Sequence, residues 1–372
     1  MTRRERIMAL LHNQPVDMTP VTTYGVDRYG APWRQEHPSY AEVLEYADRY
    51  DHIFAHASSY YASFGNTPVL RLEDPEMVEE ERSRVEDDIV RELTIHAPRG
   101  DLDSRCTETA ATHTVWVTDY PITDDDDIET FIKVPFVPEP VSEEMLNTLR
   151  HDLGDRGVVE IQVPTALCLA CENMRYEDFM LRTMTCPDLL YALLDRMQEL
   201  VEQWVRETAE NGGGPVYRLF GAEYAVPPML PPEMFEKTVV AYDAPLIDLI
   251  HDLGGYARYH CHGPVGHIVQ QVVDMGADMF EPCEGPPNGD IELAELAEIV
   301  NDRMVIMGNI QAHDMETASP EEIDRLVKET LAEVGDTCRH ILQPTASPFE
   351  VPLGERVAEN FKQLLESGWK YG

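Results

Sequence analysis

Residues 254–281 read GGYARYHCHGPVGHIVQQVVDMGADMFE, and this stretch carries the decisive pattern of the chain. A short apolar run, Ala257 to His262, is followed by an amphipathic helix from Val265 to Met275 and then by a second apolar run, Ala277 to Glu281. Short buried strands separated by amphipathic helices are the sequence form of βα units around a parallel sheet. Working outward, the same alternation appears at Val158 to Val163, Val216 to Phe220, Met304 to Ile310 and His340 to Leu342. The intervening helices are expected at Tyr176 to Glu210, Pro232 to Leu253, Ile291 to Asn301 and Pro320 to Val334. Six such units, with one or two more near the start, approach the eight of a closed TIM (β/α)8 barrel. An open doubly wound sheet is the competing arrangement, but no Gly-rich phosphate loop follows any of these strands.

The first part of the chain is less regular. A helix from Arg3 to Leu11, an opening strand over Thr19 to Tyr24 and a helix from Ser39 to Tyr50 are expected. Ile89 to His96 and Thr112 to Val117 suggest paired antiparallel strands, and Asp124 to Asp127 cap a short helix. The expectation is one barrel domain over residues 1–372 with an embellished N-terminal part, including a hairpin insertion around 85–120.

Composition narrows the function classes. The 372-residue chain is 43% hydrophobic without an apolar run of membrane-spanning length, and its start is too quickly interrupted for a signal peptide. Seven scattered cysteines suit reduced thiols, so a cytoplasmic location is expected. The net charge of −40, with lysine only at 133, 237, 328, 362 and 370, repels nucleic acid and anionic membranes as partners. It also suits a salty cytoplasm, where self-repulsion is screened.

In a barrel of this kind catalytic groups project from the C-terminal strand ends. Those ends supply Gln162, Glu223, His260 with His262, Glu281 with Glu284, Asn309, Gln311 and His313, and Thr345. Side chains alternate along a strand, so His260 and His262 share a face, about 6.5 to 7 Å apart, while Cys261 faces the helices. Two imidazoles with Glu284 could hold Zn²⁺ or another divalent metal and leave a position open for substrate. They could equally hydrogen-bond substrate without a metal. Glu223, Glu281 and Asn309 are the candidate catalytic groups, and Tyr24, Gln162, Gln311 and Thr345 the candidate substrate contacts. Cys168 and Cys171 have C-x-x-C spacing but no second pair at zinc-ribbon distance, so packing is expected. Arg28, Arg34 and Arg71 could receive a substrate carboxylate but are read as ordinary surface residues.

Gly254 to Gly263, Asp274 to Asp278, Met307-Gly308-Asn309-Ile310, Leu342-Gln343-Pro344-Thr345 with Glu359-Asn360, and the opening Arg3-Glu5-Arg6 with Pro15 to Pro20, together resemble the uroporphyrinogen decarboxylase superfamily. The resemblance implies a TIM barrel, often a homodimer. It covers porphyrinogen decarboxylases and zinc-dependent methyltransferases that work with corrinoid proteins. The Arg-Gln-Ala-Gly-Arg element with which the decarboxylases grip their polycarboxylate is replaced by Tyr24 to Gly30. The methyltransferases' His-x-Cys-Gly is matched at His260 and Gly263, with His262 where they have Cys, and Thr345-Ala346-Ser347 stands where they have a further Cys. The expected function is metal-dependent methyl transfer from a small methoxylated or methylated compound to a corrinoid protein. The alternatives are a metal-free decarboxylase and a non-catalytic cofactor-binding barrel.

Overall fold

A computed structural model describes residues 1–58, 69–335 and 338–372. Thirteen strands follow in chain order: β1 Ile53–Ala57, β2 Leu70–Leu72, β3 Val78–Val85, β4 Asp88–Ala97, β5 Gly100–Glu108, β6 Val115–Asp119, β7 Phe136–Pro138, β8 Gly157–Pro164, β9 Val216–Phe220, β10 Tyr256–His260, β11 Met279–Glu281, β12 Val305–Ile310 and β13 His340–Pro344. β1 and β8 to β13 form one seven-stranded parallel sheet in the order β1-β8-β9-β10-β11-β12-β13. Each step from β8 onward passes through helical chain on the outer layer. The architecture is α/β with a curled, TIM-barrel-like sheet.

The expected opening strand at Thr19 to Tyr24 is reduced to one parallel bridge, Val21 to Leu342. Thr22 N–H donates to Leu342 O at 2.8 Å, and on the other side His52 N–H donates to Val21 O at 2.9 Å. Val21 thus bridges to β13 on one side and bonds on the other to His52, the residue before β1. β1 itself was not foreseen.

Period-two alternation sorts the strand residues into two cores. Val159, Ile161, Val163, Leu219, Ala257, Tyr259, Phe280 and Ile306 pack outward with the helices. On the other face Phe54, Val158, Val216, Met279, Val305, Met307 and Ile341 pack with Ile7, Leu10 and Leu11 of the first helix, Arg3–Leu11. That helix, fixed at its start by a Thr2/Glu5 capping box, plugs one end of the interior. Each fully buried aliphatic side chain contributes about 1.5–3 kcal/mol. Access to the interior is left at the other end, where the strands finish.

Between β2 and β7 the chain builds an antiparallel meander, β3-β4-β5-β6. The runs read from the sequence as a pair are β4 and β6, and β5 lies between them. The loop from β5 to β6 leans on the barrel rim, where His113 stacks on Trp33 with ring centroids 4.9 Å apart. Pro187 splits the helix expected over Tyr176 to Glu210 into Tyr176–Thr185 and Pro187–Glu210. Among the described residues no helix is long and apolar enough to cross a membrane.

Candidate active site at the strand ends

One layer above the apolar plug, the inward positions change from apolar to ionic. Glu160 on β8, Arg218 on β9, Arg258 on β10, Glu281 on β11 and Gln343 on β13 converge there. Glu281 is wholly buried and accepts from Arg218 Nε, Arg258 Nη2 and Gln343 Nε2, the last at 3.0 Å. Glu160, also wholly buried, accepts from Arg258 Nη1 at 2.8 Å and from Gln162 Nε2 at 2.7 Å. Two guanidiniums thus face two carboxylates, and hydrogen bonds link them into one floor. Against the cost of burial, Arg218 and Arg258 hold Glu281 well below the usual carboxylate range.

His260 Nδ1 lies 3.1 Å from Glu281 Oε1 and 3.2 Å from the Tyr24 hydroxyl. Burial, with Arg218 beside it, pushes His260 down to about 3, so the ring is neutral. Glu281 is ionised and can only accept, so the neutral imidazole places its proton on Nδ1. Tyr24 accepts from Arg218 Nη2 at 3.0 Å, and burial raises its phenol, which keeps its own proton available. Tyr24 is held at φ 59°, followed by Gly25 at φ 82°. A Cβ on Gly25 would lie 3.3 Å from the His56 ring, so the turn that aims the phenol inward requires glycine next to it.

A chamber of about 1030 Å³ opens over this floor. Tyr24, His56, Gln162, Arg218 and Arg258 line its base, and Trp33, Phe54, Met145, Leu149 and Phe349 are among its apolar walls. His56 Nε2 lies 3.4 Å from Glu160 Oε1.

The residues expected from the sequence divide into three groups. Tyr24 and Gln162 line the chamber. His260, Glu281, His262 and Glu284 form a chain beside it, with His260 and His262 centroids 4.6 Å apart and His262 Nδ1 3.1 Å from Glu284 Oε2. β10 ends at His260, so His262 belongs to the loop beyond rather than to the strand. Glu284 also accepts from Gly263 N–H at 2.9 Å and, against burial, raises His262. The remaining residues stand apart from the chamber. Glu223 folds back on Gly221 N–H at 3.1 Å, Asn309 donates to Cys283 O at 3.0 Å, and Gln311 donates to Asn309 O at 3.3 Å. Thr345 is wholly buried and accepts from Ala312 N–H at 2.9 Å, a structural bond that leaves its hydroxyl no access to a ligand. Glu281, read as catalytic, is likewise out of reach of a ligand and acts by holding Arg218, Arg258 and His260. Cys168 and Cys171 are buried free thiols.

As a metal centre the expected set does not close. Both imidazoles turn Nδ1 to carboxylates, and among the described residues no three His, Cys, Asp or Glu side chains are grouped to hold an ion.

Sequence reasoning missed Arg218, Arg258, Glu160 and His56, and noted Gln343 only as one of the polar residues at strand ends. The available signal was alternation: Arg258 lies two residues before His260 and so shares its face.

Buried ionisable groups set a pH profile for stability. Burial raises the carboxyls of Asp27 and Asp51, and that of Asp243 to about 7. Raised acids stabilise below their unfolded pKa, and that contribution is lost as pH rises through the folded value. Burial also raises Glu160, and it pushes His52, His56 and His260 to about 3 and His340 to about 4; these depressed imidazoles lose their contribution as pH falls below the unfolded value of about 6.5. The two trends oppose each other between about pH 5 and 6.5, while above it the acids and the raised His262 act in the same direction, towards loss. The urea midpoint is therefore expected to be flat over that interval and to decline towards pH 8. A midpoint climbing steadily from pH 5 to 8 would contradict this assignment.

Fold and site together define a TIM-barrel-like α/β protein with a ligand-sized chamber over an ionic interior. The family model described as uroporphyrinogen decarboxylase (URO-D) matches residues 111–359, and the chain belongs to that family. Among solved structures it is similar to a methyltransferase from Methanosarcina mazei, with a TM-score of 0.63 and 17% identity over 100% of this chain and 99% of the other. A B12-independent methionine synthase from Shewanella sp. W3-18-1 gives a TM-score of 0.46 and 12% identity, over 89% of this chain and 84% of its own. No curated protein matches the chain.

Proposed function

We propose that this chain is a methyltransferase that takes a methyl group from a small methoxylated or methylated compound and passes it to a corrinoid carried by a partner protein. The observation that carries this reading is the charge state of the chamber. Four arginines line it, but Arg28 is paired with Asp48, Arg218 with Glu281, and Arg258 with Glu160 and Glu281. A porphyrinogen polycarboxylate needs many free cations, and three of these four are already engaged. The apolar walls and polar base suit a compact, partly apolar molecule with one heteroatom at the bottom. Family membership and the whole-chain likeness to a methyltransferase fold support the same reading.

In methyl transfer the bond from the donor heteroatom to the methyl carbon breaks as the acceptor forms its own bond to that carbon. The corrinoid would supply the nucleophile. The departing heteroatom gains negative charge, and the residues of this chain answer that charge. Tyr24, polarised by Arg218, offers its hydroxyl proton from the chamber base. Gln162, held by Glu160 and by Arg218 at 3.1 Å, fixes the position of Arg218 beside it. Glu281 keeps both arginines and His260 in place.

The test is an assay of methoxylated and methylated compounds with reduced cobalamin as acceptor, following formation of methylcobalamin. Demethylated product in step with methylcobalamin is the expected result. Release of CO₂ from a porphyrinogen or smaller acid, with no methyl moved, would replace this reading with a decarboxylase.

A further inference from the structure

Arg34 differs from every other cation of the chamber. Its side chain is only 5% exposed, yet among the described residues it has no ion-pair partner. Its terminal nitrogens donate only to neutral oxygens: Gly25 O at 2.9 Å, Ser347 Oγ at 2.9 Å and Pro348 O at 3.0 Å. Nε has no acceptor. The guanidinium carbon lies 4.9 Å from the centroid of the Trp33 ring, and Trp33, Arg34 and Ser347 all line the chamber. The anion on the chamber wall, Glu139, is paired with Arg71 at 2.7 Å. The buried acid nearby, Asp27, accepts Tyr29 N–H at 2.6 Å and lies beyond ion-pair distance of Arg34, although the two charges attract each other. A buried cation bonded only to neutral groups is costly, and an incoming anion relieves that cost.

We propose that Arg34 receives the carboxylate of a singly charged ligand, so that the chamber takes a monocarboxylate. One guanidinium without a contact ion pair matches one negative charge, and the aromatic surface of Trp33 beside it suits an apolar body behind the carboxylate. The two ends of the ligand's path are coupled through adjoining residues, since Gly25 O holds Arg34 while Tyr24 reaches the base. This deepens the methyl-transfer reading, on which it rests for the donor's identity: the donor would be a methoxylated or methylated monocarboxylate.

The test is calorimetric binding of 4-methoxybenzoate and of the neutral 4-methoxybenzamide to the full chain. The acid is expected to bind at least about tenfold more tightly. Arg34→Gln is expected to bring the two within about threefold, and Arg34→Lys to retain the preference for the acid. Because a change at a buried arginine can unfold the chain, the acid-to-amide ratio of the unaltered protein stands as its own measurement. Equal affinity there, no binding of either probe, or an unaltered preference in folded Arg34→Gln would each overturn the proposal. Selective acid binding without methyl transfer to any acceptor would leave Arg34 as assigned and remove the methyl-transfer reading instead.

Discussion

Glu281→Ala is expected to lower stability by about 3–5 kcal/mol, read as a large fall in the urea midpoint. The reason is what the substitution leaves behind rather than what it takes away. Glu281 accepts from Arg218, Arg258 and Gln343 and lies against His260. Without it the floor holds two guanidiniums against Glu160 alone, in a largely buried layer. Glu281→Gln keeps the shape and one acceptor, so a smaller loss is expected. The paired change Arg218→Met with Glu281→Leu removes a cation and an anion together and is expected to recover much of the loss, because a buried ion pair replaced by apolar groups of similar volume is often neutral. A Glu281→Ala midpoint close to the parent's would mean that the floor does not depend on this carboxylate.

Tyr24→Phe is expected to reduce kcat by about 10²-fold with little change in KM, once a donor is in hand. The phenol accepts from Arg218 and has a proton left to give, and phenylalanine keeps the ring while deleting that proton. A donor that matters only as charge develops lowers kcat more than binding. Because burial raises the Tyr24 phenol, the parent rate is expected to show no inflection from this group below pH 10. Steady-state rates decide it: a kcat within about threefold of the parent would remove Tyr24 from the reaction.

Much of the sheet was legible because its strands are buried on both faces. β9 coincides with the run read from the sequence, and β8 and β12 differ by a residue at their ends. β1 escaped notice because Ile53–Ala57 follows a helix with only Asp51 and His52 between them, too little to mark a boundary. β3 was hidden for another reason. Its residues, VEEERSRV, are mostly exposed, so no apolar alternation exists to be read, and pairing with β4 alone makes it a strand.

The site was legible at its rim and illegible at its base. His260, His262, Glu281 and Glu284 do gather, because strand ends in a barrel-like sheet point to one place. Arg218, Arg258 and Glu160 sit within strands, where apolar filling is the rule, and their meaning depends on partners far apart in sequence. Glu160 and Arg258, for example, are 98 residues apart. No local pattern announces such a pair. Thr345 lay at a strand end and still proved structural, since its hydroxyl is needed by the backbone at the start of the helix Ala312–Thr317, which follows β12.

The thin tie at Val21 has a consequence for how the molecule answers its ligand. The link between β13 and the start of β1 is one bridge wide, and the tyrosine that reaches the reaction chamber hangs three residues further on. Anything that grips Tyr24 and Arg34 from within therefore steadies this narrow link as well. Occupancy and mechanical integrity of the scaffold are then two faces of one equilibrium, each strengthening the other.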